Sequence, residues 1–119
     1  MTPFGMFNRT IRLEQGVLLK DFAERVGVSS AYLSALEHGK KGTPNATLVS
    51  EIERQFELTA QQRKDLQVAV RDSATTLTIP PKAKPSVFHT AHAFARKLPD
   101  LSDRQLRLID DILKDKEKP

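Results

Sequence analysis

The sequence predicts an all-α protein, and three observations predict it. Apolar residues recur three and four apart along most of the chain, the period of a helix with one buried face. Cap-forming Ser and Thr stand before those stretches, and Gly or Pro stands after them. Only 74–86 departs from the pattern, with β-prone residues followed by prolines. The expected order is five short helices in residues 1–73, a linker at 74–86 and a helical hairpin at 87–116. Within the linker, 76–79 is able to form one short strand. A chain of 119 residues suits one small domain with an appendage.

Each element has its own reason. Phe4, Phe7 and Ile11 define a first helix at 3–15, with Met6 and Leu13 as further apolar positions and Gly16 as its stop. Leu18 to Val26 forms a second, with Leu19, Phe22, Ala23 and Val26 inward. Gly27 turns the chain through a positive φ, and Ser29 caps a third helix that Gly39 ends. Thr43 as cap, with Pro44 at the first helical position, opens a fourth helix. Its stripe is Leu48, Val49, Ile52 and Phe56. Thr59 and Gln62 form a capping box for a fifth helix running to Ser73, with Leu66, Ala69 and Val70 inward.

In the last third, Val87, Phe88, Ala91, Phe94, Ala95 and Leu98 make one stripe, which Pro99 and Asp100 interrupt. Ser102 and Gln105 make a second capping box, and Leu106 is placed to staple onto Leu101. Leu106, Ile109, Ile112 and Leu113 form the final stripe, and the charged tail after Lys114 is expected to fray. Two helices of this length cannot bury both stripes alone. The hairpin is therefore expected to serve dimerisation, to pack on the first domain, or to hold another protein.

The third helix carries the functional signal. Leu33 and Leu36 share one face and anchor it to a core, while Ser30, Ala31, Ser34 and Ala35 leave the other face small and uncharged. A helix with such a face can press against a flat polar surface, and the major groove of DNA admits one. Composition permits this partner. Net charge is +4; residues 1–44 hold six Lys or Arg against four acids, and 77–99 hold four and no acid. Six Phe, one Tyr and no Trp argue against a single-strand binder built on base stacking. The chain has no cysteine, so a disulfide framework and Cys-based metal sites are excluded. No apolar run approaches a membrane span and no signal pattern opens the chain, so a cytoplasmic protein is expected.

Gly16, Phe22-Ala23, Gly27-Val28-Ser29, Leu33-Ser34, Leu36-Glu37, Gly39 and Pro44, in that ungapped order, resemble the phage-repressor and Cro-like (Xre-like) helix-turn-helix family over residues 3–58. The resemblance implies a five-helix repressor-like domain that docks its third helix in the major groove, as a dimer on a two-fold operator. By position, it places Ser30, Ala31, Ser34 and Ala35 against bases. Lys40 and Lys41, Tyr32, His38, Thr43 and Asn45 would meet phosphates. Arg12 would pair with Glu37 and also turn toward a phosphate. Leu18 and Leu19 stand where many relatives carry a Ser or Asn cap and a phosphate-binding Gln, which leaves Lys20 as the nearest substitute. Two exposed leucines at a helix start would be unfavourable, so both are expected to pack on the first or fifth helix.

The function expected is a homodimeric transcriptional repressor acting on a palindromic double-stranded operator. A rival class is an antitoxin-type protein whose last third binds a toxin, with DNA binding serving autoregulation. His89 and His92 stand three apart, a spacing that can bind metal, but no carboxylate lies in the same turn. An exposed helix face is the reading there, and no metal, cofactor or membrane partner is expected. No phosphate loop or nucleophile set appears, so catalysis has no visible seat.

Overall fold

A computed structural model describes residues 1–115. Every regular element among them is helical, and the chain divides after Leu77 into two units. The first holds α1 (Pro3–Gln15), α2 (Leu19–Val26), α3 (Ser30–Glu37), α4 (Ala46–Gln55) and α5 (Ala60–Arg71). The second holds α6 (Pro85–Lys97), a 3-10 turn over Leu98–Asp100, and α7 (Asp103–Lys114). No helix among the described residues is long and apolar enough to cross a membrane.

In the first unit α1 packs on α3 and α5, and α2 packs on α3 and α4. Their apolar faces meet in one core containing Phe4, Ile11, Phe22, Leu33, Ile52 and Leu66. Full burial of each such side chain contributes roughly 1.5–3 kcal/mol. The rings of Phe22 and Phe56 stack at 4.3 Å between centroids. The guanidinium of Arg25 lies 4.1 Å over Phe56 and donates to the Gln55 carbonyl, while Gln15 donates to the Phe56 carbonyl. Two carbonyls left open by the end of α4 thereby find donors.

Caps set the helix starts. The Thr2 hydroxyl accepts from Gly5 N–H, with Pro3 in the first turn, where its missing N–H has no consequence. Ser29 accepts from Tyr32 N–H, and full capping boxes open α5 at Thr59 and α7 at Ser102.

Several expectations need correcting. Met6 and Leu13 point to solvent, because the buried face of α1 runs through Phe4, Asn8 and Ile11 on the opposite side. Leu19 packs against the core, but Leu18 is 72% exposed, since the N-cap position stands outside the helix and aims away from it. The fourth helix starts two residues later than Thr43-Pro44 predicts. Asn45 is its cap, accepting from Leu48 N–H at 2.8 Å, and this register buries Leu48 and Val49; Pro44 is itself buried in the preceding loop. α5 ends at Arg71, short of Ser73.

Residues 76–79 form no strand and make no backbone hydrogen bond among the described residues, because no second segment lies alongside to complete a ladder. α6 begins at Pro85, since proline is tolerated in a first helical turn. The end of the expected hairpin at 116, and the rest of the charged tail, lie outside the described residues.

The second unit differs from the first in one respect. Among residues 78–115 no side chain is buried. Val87, Phe88, Leu98, Leu106, Leu108, Ile112 and Leu113 are all exposed, from 39% at Phe88 to 76% at Leu113.

Candidate nucleic-acid interface

α3 is held from one side only. Leu33 and Leu36 are enclosed, and Val28 just before the helix packs against the same core. On the other side Ser30 and Ala31 are exposed, and Ser34 and Ala35 are half-buried. These four positions form a shallow strip without charge or bulk. Tyr32 lies beside it and is 37% exposed.

The far end of α3 is fixed more firmly than its sequence announces. Gly39 N–H donates to the Leu36 carbonyl at 3.1 Å and Lys40 N–H donates to the Ala35 carbonyl at 2.8 Å. Gly39 takes φ +77°, a conformation that costs glycine nothing. This paired closure anchors the backbone from which Lys40 and Lys41 extend, and both side chains are exposed. The His38 ring folds back onto the helix, with Nδ1 donating to the Ser34 carbonyl at 2.9 Å. Nε2 remains available to a ligand.

Glu37 is the buried charge of the site. Its Oε2 accepts from Arg12 Nη1 at 2.7 Å and from Asn8 Nδ2 at 3.1 Å. The Arg12 side chain is 12% exposed and lies 5.8 Å over the Phe22 ring, so it serves the interior first. A buried carboxylate needs these partners, since an unpaired charge here would be strongly unfavourable. The Glu37 carbonyl accepts twice from Thr2, from its N–H at 2.9 Å and from its hydroxyl at 3.0 Å. α1 and α3 come together closely at this point, and Gly5 makes that approach feasible. A Cβ added at Gly5 would stand 2.5 Å from the Glu37 carbonyl oxygen and 2.6 Å from the Met1 Cγ.

The remaining sequence-predicted positions fall in three places. Lys20 is exposed in the first turn of α2, and Thr43 is exposed in the loop before α4. The Asn45 side-chain Oδ1 is spent on the cap. The free N–H groups at the start of α4 are therefore those of Ala46 and Thr47, the first two helical residues.

Sequence reasoning missed Thr2, Asn8 and Ser73. Thr2 before Pro3 is a readable cap signal. Asn8 and Ser73 carry no such signal, because their roles depend on distant partners. Ser73 Oγ accepts from Phe4 N–H at 2.9 Å and donates to the Ala69 carbonyl, joining the start of α1 to the end of α5.

Two short helices at a tight turn, the second supported from behind and bare in front, define a helix-turn-helix domain. Residues 9–62 match the family model described as Helix-turn-helix, and this part of the chain is similar to the family in its Xre and Cro-like form. Over 52 residues the chain is 35% identical to the uncharacterized HTH-type transcriptional regulator RghRB of Bacillus subtilis (strain 168). That match takes in 44% of this chain and 37% of the relative, so the chain spans little more than a third of that protein's length. No solved structure matches the chain significantly.

Proposed function

We propose that the protein is a cytoplasmic, sequence-specific transcriptional regulator that lays α3 in the major groove of double-stranded DNA. It acts as a homodimer and represses a promoter by occupying a two-fold operator. The observation that carries this reading is the two-sided character of α3: Leu33 and Leu36 locked inside, Ser30, Ala31, Ser34 and Ala35 open to a ligand. The match of residues 9–62 to the helix-turn-helix family model supports it, as does the likeness to a relative named as a transcriptional regulator.

In this reading the Ser hydroxyls bond base edges of either type and the Ala methyls touch thymine methyls. None of the four makes a bidentate contact, so phosphate binding and DNA shape supply much of the affinity. Lys40, Lys41 and Lys20 supply charge, the Tyr32 hydroxyl and His38 Nε2 supply further polar contacts, and Ala46 and Thr47 offer N–H groups. Thr43 and the Asn45 amide nitrogen border that same phosphate site. Arg12 contributes chiefly by fixing Glu37 and with it the angle of α3.

Selection of bound duplexes from a random pool tests the proposal. The expected result is a palindrome with half-sites about one helical turn apart. Ser34→Glu should abolish its recovery by setting a carboxylate against the groove, with thermal stability little changed. Absence of any enriched sequence would overturn the reading.

The exposed stripes of α6 and α7 favour one other reading. In it the two helices hold a toxin-like partner, and DNA binding serves autoregulation. Co-purification of a second chain from the native host would select this reading over the homodimer.

A further inference from the structure

The charges beside the exposed stripes of the second unit point to what covers them. On α6 the stripe of Phe88, Ala91, Phe94 and Ala95 is bordered by Arg96 on one side and Lys97 on the other, and the helix contains no acid. On α7 the wide apolar arc from Leu106 through Ile109 to Leu108 is bordered by Asp110 on one side and Asp111 on the other. Arg107 and Lys114 lie on the face away from the arc; Arg104, in the first turn, is the one base near its edge. Among the described residues, no ion pair engages any charged side chain of α6 or α7. Among the described residues of this unit, the charged borders therefore have no ion-pair partner, and most of each stripe stays open, with Ala91, Phe94 and Ile109 half-buried.

We propose that a second copy of this chain supplies the partners, with α6 of each copy seated against α7 of the other. The inference rests on the homodimer reading above and names the surface that reading needs. Two-fold symmetry brings a patch onto its own copy. A patch that is basic throughout would repel itself, as would an acidic one. A patch with its basic border on one helix and its acidic border on the other is complementary to itself, and the axis satisfies both pairs together. Two copies contribute four helices, enough to enclose a bundle core that two helices cannot. The arc on α7 is wider than a single-seam stripe, as suits a helix lying in the groove between two others.

Sedimentation of the full chain tests this. The unchanged protein should run as a dimer. The double variants D110K/D111K and R96E/K97E should each associate more weakly by roughly tenfold or more, from like charges brought face to face. Mixed one to one, the two should recover a dimer containing one copy of each. That recovery excludes a mere folding defect. If either variant dimerises like the parent, or if mixing recovers nothing, the α6-to-α7 pairing is wrong while a dimer through another surface still stands. If the unchanged chain is monomeric up to about a hundred micromolar, an association weaker than about −5.5 kcal/mol, the pairing and the homodimer reading fall together. Recovery of the operator in the selection described above would then show separately that DNA binding survives.

Discussion

α5 and α7 are both twelve residues long and both open with a complete Thr or Ser capping box. α5 buries Leu66 and Ala69, whereas α7 buries nothing. The same contrast holds for the units that contain them: Met1–Leu77 encloses a continuous core, and the described residues beyond it enclose no side chain. Capping and apolar period are local properties and specify where a helix starts and which face it favours. Burial is a property of neighbours. α5 has α1 beside it, whereas the stripe of α7 stays unburied among the described residues of its own unit.

Substitutions can break or sharpen that contrast. Leu33→Ala should have the largest effect, a loss of about 2–5 kcal/mol in the stability of the first unit, measured by urea denaturation. Leu113→Ala, the same chemical change at a 76% exposed site, should leave the unfolding of dilute protein within about 0.5 kcal/mol of the parent. Equal losses at the two sites would mean that the second unit has a core of its own.

Glu37→Gln should come next, at about 2–3 kcal/mol, because it removes the charge that Arg12 and Asn8 converge on. The same change should weaken specific DNA binding more than non-specific binding, since it loosens α3 and leaves the surface lysines in place. Thr2→Val should follow at about 1 kcal/mol, read from the thermal midpoint, through the lost cap and the lost bond to the Glu37 carbonyl. Lys40→Ala with Lys41→Ala should be the least disturbing to folding. Its effect should be a shallower salt dependence of binding, alike for all sequences. A loss confined to one sequence would instead assign these lysines to base contacts.

Much of the first unit was legible because its signals are short-range. Ser29 stands immediately before its helix, Gly27 immediately before that, and Leu33 with Leu36 reports its face without reference to anything distant. The errors arose where two local signals competed or where the deciding partner was remote. Thr43-Pro44 is as good a helix opening as Asn45; the choice falls to Asn45 because its register buries Leu48. Leu18 was expected to pack on the first or fifth helix from hydrophobicity alone, yet at the N-cap of α2 it stands open to solvent. Ser73 meets Phe4 across 69 residues of sequence, and Asn8 meets Glu37 across 29. Spacing rules cannot register such pairs. The strip on α3 was visible as a run of small residues, whereas the clamp that aims it, Thr2 on the Glu37 carbonyl, became visible only in three dimensions.

That clamp has a practical consequence for anyone handling the protein. Met1 lies beside Gly5, and the Thr2 N–H is already committed to the Glu37 carbonyl at the end of α3. An affinity tag fused ahead of Met1 would load the residues that hold the end of α3 in place. A binding defect seen with such a fusion should be rechecked after the tag is cleaved.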